Sequence, residues 1–152
     1  MKKTSKKNTK PWQKFHAFKE VEVRWRDLDA YNHVTNSVYF NFFEEARIHL
    51  YNKIRAFRDS WQNKGKYANL GMTLIRTACE FRAQAFLGQK LIVGVNITRA
   101  KKFFVDTEYT VFDKKTQAVI AKGTATNALI DKQTFKPISI PKEILDQIEQ
   151  LK

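Results

Sequence analysis

The 152-residue sequence has a single cysteine, three prolines and five glycines, and sets only 15 acidic side chains against 28 basic ones. A lone Cys79 cannot close an internal disulfide, which fits a reducing, cytoplasmic setting. Without cysteine pairs there is no zinc ribbon, and without a glycine-rich phosphate loop there is no nucleotide-binding fingerprint. No internal repeat marks a solenoid. No window approaches the roughly 18 apolar residues of a membrane span, so none is expected. The basic start runs into Pro11 and Trp12 rather than an apolar core, so no export signal is expected either.

What is present is the composition of one globular domain: 43% hydrophobic and 13% aromatic residues. The beginning differs. Lys2, Lys3, Lys6, Lys7, Lys10 and Lys14 stand with no acid and almost nothing apolar before Trp12, which reads as a solvated basic tail over residues 1–17, with a single domain from 18 to 152. The formal net charge is +13, and the body remains basic without the tail. Such a balance favours anionic partners: a phosphorylated cofactor, an acidic carrier protein, or nucleic acid.

Along the chain, Phe18 to Arg26 alternates apolar and charged residues and predicts a first strand. Tyr39, Phe43, Ala46, Leu50 and Ile54 then recur at three- and four-residue steps, with Asn41, Glu44 and Glu45 opposite, predicting one long helix that fades over Arg55–Trp61. Asn36 suits its N-cap, or Ser37 if the start slips by one. Residues 72–86 predict a second strand. Leu91 to Ile97 and Phe103 to Val111 predict a long hairpin, and Ala118 to Ile130 a fifth strand. Pro141 opens a short C-terminal helix through Leu151. The short connections favour antiparallel neighbours, giving an α+β layer of one long helix on a five-stranded sheet.

The chemistry concentrates between Val23 and Leu50. Asp27, Asp29, Asn32, His33, Thr35 and Asn36 immediately precede the helix, so their polar groups gather at a helix N-terminus. The segment RWRDLDAYNHVTNSVYFNFFEEAR, Arg24 to Arg47, resembles the signature of hydroxybenzoyl-CoA thioesterase-like proteins of the hotdog fold, and the order of elements resembles that fold through all but the tail.

The resemblance implies a hotdog fold: a five-stranded antiparallel sheet wrapped around one long helix. It also implies a homodimer or homotetramer with sites at subunit boundaries. The activity implied is hydrolysis of a fatty or aromatic acyl-CoA to free acid and coenzyme A, with no cofactor or metal. The position of the family's acid falls on Asp29, as general base or nucleophile, and that of its oxyanion-holding amide on Asn36. His33 is a supporting candidate. Arg99, Lys101 and Lys102 are candidates for the coenzyme A phosphates. Two positions depart from the family pattern: Asn32 replaces a frequent glycine, though asparagine tolerates a left-handed backbone, and Thr35 replaces a frequent asparagine.

Each role has a plainer counterpart. Asp29 could cap a turn or pair with Arg26, and His33 could serve the backbone only. Arg99, Lys101 and Lys102 could form an ordinary charged turn. Glu44 and Glu45 belong to a polar helix face, and Cys79 to a strand pattern. The competing functional class is a hotdog module that binds acyl-CoA without cleaving it, or a basic protein attached to nucleic acid through its tail. The tail offers only Trp12 and Phe15 for stacking, which disfavours nucleic acid.

Overall fold

Val38–Tyr51 form the central helix, α1, although the run VYFNFFEE is rich in aromatic and polar residues that are mediocre helix formers. Burial decides the matter. Tyr39, Phe42, Phe43, Ala46 and Leu50 are all buried, and each large apolar side chain contributes roughly 1.5–3 kcal/mol on leaving water, against propensity differences below about 1 kcal/mol per residue. Asn41, Glu44 and Glu45 face solvent, as the periodicity predicts.

The computed structural model describes residues 8–152. In chain order, β1 is Ala17–Glu22, followed by α1 and by α2 at Arg55–Trp61. Then come β2 at Leu70–Phe81, β3 at Lys90–Lys101, β4 at Phe104–Asp113, β5 at Val119–Asp131 and α3 at Lys142–Glu149. The five strands make one antiparallel sheet in the order β1-β3-β4-β5-β2. Its inner face presents Val93, Val95, Val105, Tyr109, Val111, Ala125 and Leu129 to the helix. Phe43 lies flat on Tyr109, with centroids 4.6 Å apart, and above Gly123, where any side chain would collide with its ring.

Several expectations change. The helix does not fade gradually: it ends at Tyr51, Ile54 is extended at φ −96° and ψ 108°, and α2 restarts at Arg55. Ile54 nevertheless stays fully buried, so the chain turns without losing the apolar row. The first strand stops at Glu22 and a tight turn, Trp25–Asp27, replaces its end. The second strand leaves the sheet at Phe81, because the N–H groups of Arg82 and Ala83 both donate to the Ile120 carbonyl while Ala85 turns away to accept from Val34. Residues 82–89 thereby carry the chain across the sheet end, and β2 lies beside β5 at an edge instead of beside β3.

Part of the segment expected to be a solvated tail is packed on the sheet. Lys2, Lys3, Lys6 and Lys7 lie outside the described residues, but Pro11–Lys14 form a helical turn and Trp12 is buried against Ile92 and Phe112. Phe15 lies over Gly94, whose missing side chain makes room for the ring; a Cβ there would stand 2.7 Å from it. Two aromatics therefore fasten this segment to the outer face of the sheet. Trp12→Ala is expected to lower the unfolding free energy by about 3 kcal/mol, whereas removal of residues 1–10 should change it by less than about 0.5 kcal/mol; urea titration of the three proteins checks both.

Candidate active site

The loop between β1 and α1 is built by two aspartates with different tasks. Asp27 is 3% exposed, and its carboxylate accepts from the Arg24 N–H at 2.8 Å and from Arg24 Nε and Nη2 at 3.2 Å each. Burial works to raise its pKa, but the Arg24 hydrogen bonds and the charges of Arg24 and Arg26 outweigh it and hold the carboxyl below its ordinary value. Its carbonyl accepts from the Thr35 N–H at 2.9 Å, so Asp27 ties both ends of the loop.

Asp29 is turned the other way. Its Oδ1 accepts from the Tyr31 N–H at 2.8 Å, and its Oδ2 lies 3.6 Å from His33 Nδ1. Its side chain is 33% exposed. No contact with Arg26 is found; the basic group beside it is His33. Between them the backbone closes a tight turn: Asn32 N–H donates to the Asp29 carbonyl and Asp29 N–H to the His33 carbonyl, both at 3.0 Å. Asn32 takes the left-handed conformation at φ 64°, which the loop needs and asparagine tolerates. His33 packs between the Tyr31 ring and the edge of Phe86.

The helix start differs by one residue from the first-choice reading. Ser37 occupies the cap position with no side-chain cap bond, and the first turn closes with Val38 N–H on the Thr35 carbonyl at 2.9 Å. Among the described residues nothing accepts from the N–H groups of Asn36 or Ser37. Such unpaired N-terminal donors favour negative charge.

A cavity of about 390 Å³ brings these groups together. Asp29, His33, Asn36 and Tyr39 line one side of it, and Phe81, Arg82 and Gln84 the other. A second hollow of about 300 Å³ is lined by Trp25, Arg26, Leu28, Asn32 and Asp29 itself. A larger one of about 660 Å³ covers the outer sheet face between Phe15, Asn96, Glu108 and Lys122, and Asp29, His33 and Asn36 do not line it.

The remaining candidates separate. Glu44 and Glu45 are exposed and do not line the cavity beside Asp29. Cys79 is half-buried; burial, with Glu80 nearby, pushes its thiol up to about 11, which leaves it a poor nucleophile. Arg99 pairs with Asp106 at 2.8 Å on the outer face, and with Lys101 and Lys102 it sits at the end of β3 remote from the loop. Nine residue steps along β3 separate Lys90 from Arg99, roughly 30 Å, so one subunit does not bring these cations to Asp29. Arg82, which the sequence reading passed over, does line the cavity, together with His33. Its signal was weak: a cation one step beyond a strand end. Among the described residues no group of three or more His, Cys, Asp or Glu side chains is arranged to hold a metal ion.

A profile of the thioesterase-like superfamily matches residues 23–148. The chain belongs to that superfamily. It is 25% identical over 133 residues to the long-chain acyl-CoA thioesterase FadM of Escherichia coli, covering 87% of this chain and 96% of the relative. Its fold matches a Thermus thermophilus thioesterase solved with coenzyme A and zinc, at TM-score 0.75 and 24% identity over 90% of this chain and 95% of the other. A 1,4-dihydroxy-2-naphthoyl-CoA thioesterase from Synechocystis matches at TM-score 0.75 and 18% identity, over 89% and 96% of the two chains. The hotdog fold and the thioester hydrolase class expected from the Arg24–Arg47 segment are therefore met. Among the described residues no helix is long and apolar enough to cross a membrane.

Within this member of the superfamily, Asp27 is structural. Its depressed pKa gives stability that is present above its ordinary value of 3.8 and lost as pH falls through the lower folded value. Asp27→Asn is expected to cost about 1–3 kcal/mol at pH 7, and the gap to the parent should narrow below about pH 4; urea unfolding across pH 3–7 measures it.

Proposed function

We propose that the protein is an acyl-CoA thioesterase whose acid is Asp29. The observation that carries this reading is the convergence of the Asp29 carboxylate, His33 and the open first turn of α1 on one cavity. In the proposed reaction the thioester carbonyl oxygen takes the Asn36 N–H, and developing negative charge is stabilised by that amide and the helix N-terminus. The Asp29 carboxylate removes a proton from water as the water attacks the carbonyl carbon. The carbon–sulfur bond then breaks, and the proton passes to the departing thiolate, leaving free acid and coenzyme A. Direct attack by Asp29 would give the same products through an anhydride that water opens. Since Oδ1 is held by Tyr31, Oδ2 is the oxygen left for either route. His33, 3.6 Å from it, orients the carboxylate and adds positive charge when protonated.

The substrate class draws support from the names of the relatives, each of which acts on or was solved with a coenzyme A compound. The cytoplasm is the proposed setting. The proposed assembly is at least a dimer. The edge strand β2 shows Leu74 and Ile75, 46% and 56% exposed, beside unpaired backbone, which a second copy can cover. Arg99, Lys101 and Lys102 keep their proposed place as phosphate ligands only if they serve the partner's cavity.

Asp29→Asn keeps the Tyr31 contact and removes the charge. Its kcat with a short acyl-CoA is expected to fall by at least about 10², with affinity and unfolding midpoint close to the parent's; turnover within about twofold of the parent would refute the assignment. Sedimentation of the parent is expected to give a dimer or larger, and Ile75→Asp a monomer with lost turnover. A fully active parent monomer would rule out the shared site.

A further inference from the structure

Tyr39 is 2% exposed and lines the cavity; among the described residues its hydroxyl makes no hydrogen bond, and since no fully buried polar atom is left unpaired there, the hydroxyl keeps some access to solvent, on the cavity side. Val34, the other buried residue that lines the cavity, is apolar, so of the buried lining residues Tyr39 supplies the hydrogen-bonding side chain. A hydroxyl that opens on the cavity with no protein partner is met by water until a substrate group replaces it. The ring is held firmly: Phe81 meets it edge-on at 5.2 Å and Phe42 at 5.8 Å. Burial, with Cys79 nearby, pushes its pKa up to about 12, so the hydroxyl stays protonated at any working pH.

Its position says which part of a substrate it can meet. Asn36 and Tyr39 are three residues apart, hence on one face, with Tyr39 about a turn deeper into the domain. A carbonyl held at the Asn36 amide therefore sends its acyl group inward along Tyr39 and Phe81, while the thiol portion leaves towards solvent. Resting on the thioesterase reading above, we infer that Tyr39 is a specificity-determining residue: its hydroxyl donates to an oxygen on the acyl group, a few atoms beyond the thioester carbonyl, and so selects oxygenated acyl groups over plain hydrocarbon ones. A hydrocarbon chain in the same place expels the water that otherwise satisfies the hydroxyl and offers nothing in return.

Two substrate pairs test this: 3-hydroxybutyryl-CoA against butyryl-CoA, and 4-hydroxybenzoyl-CoA against benzoyl-CoA. The parent is expected to favour the oxygenated member of at least one pair by about tenfold or more in kcat/KM, and Tyr39→Phe to bring that ratio within about threefold of unity. Binding of the same four compounds to Asp29→Asn, with and without Tyr39→Phe, should show the same preference and the same loss. A parent ratio below about threefold in both pairs overturns the inference, and this outcome does not require the variant to fold. Equal losses on both members overturn it as well, since the hydroxyl would then serve the shared thioester. So does a loss that accompanies dissociation in sedimentation, which would make the hydroxyl an interface group. Hydrolysis of none of the four by the parent, by contrast, sinks the thioesterase reading along with it.

Discussion

The stack of Phe43 on Tyr109 sets the distance between α1 and the sheet, and the rest of the site follows from that distance. The ring can lie 4.6 Å from Tyr109 only because position 123 is glycine. One turn earlier, the same row of the helix carries Tyr39 to Phe81, and one turn before that it ends at Asn36, so the open amides come to rest at the cavity mouth. One turn later, Arg47 is buried with its guanidinium on the Tyr109 hydroxyl at 3.1 Å, and that hydroxyl is 2.7 Å from Thr107 Oγ1. A chain of neutral hydroxyls thus takes up a buried cation, which would be costly if left alone. Helix and sheet are joined at three successive levels, and the helix start is fixed from behind.

The two loop aspartates differ in what surrounds them. An acid that terminates a strand and bridges a loop has to be buried, and its lone pairs are then spent on Arg24. An acid that attacks or activates water has to keep an oxygen free. Asp27 and Asp29 are two apart in sequence but separated by a turn, so one points into the loop and the other out of it. Asp27 ends the Trp25–Asp27 turn, and Asp29 opens the next one, which the left-handed Asn32 lets close onto His33.

Much of this was legible in the sequence, and the reasons differ from part to part. The helix face was readable because burial and period coincide in Tyr39, Phe43, Ala46 and Leu50, and the hairpin because its two strands alternate cleanly. The left-handed turn at Asn32 followed from what an asparagine side chain tolerates. The break at Asn52–Ile54 was not readable, since Ile54 continues the apolar row while the backbone leaves the helix. The anchoring of Trp12 depends on Ile92 and Phe112, residues about eighty and a hundred positions away, and a lysine-rich neighbourhood hides it. Adjacency of β2 to β5 depends on where residues 82–89 cross, which no local pattern reports.

The turn holding Lys101 and Lys102 stands away from the Asp29 cavity of its own chain. Phe81, at one end of β2, borders the Asp29 cavity, while Leu70, at the other end, pairs with Asp131. The turn holding Lys101 and Lys102 is fastened to that second end, through Leu129 N–H on the Phe103 carbonyl and Ile140 N–H on the Lys102 carbonyl. If two β2 edges pair antiparallel about their middle, near the irregularity between Leu74 and Arg76, the Leu70 end of each lies beside the Phe81 end of the other. The cations then stand beside the partner's cavity, with Arg82 on the near side. A substrate with an acyl group at one end and phosphates at the other fits that arrangement, because its two ends would be held by different subunits and its reacting bond by the helix start between them.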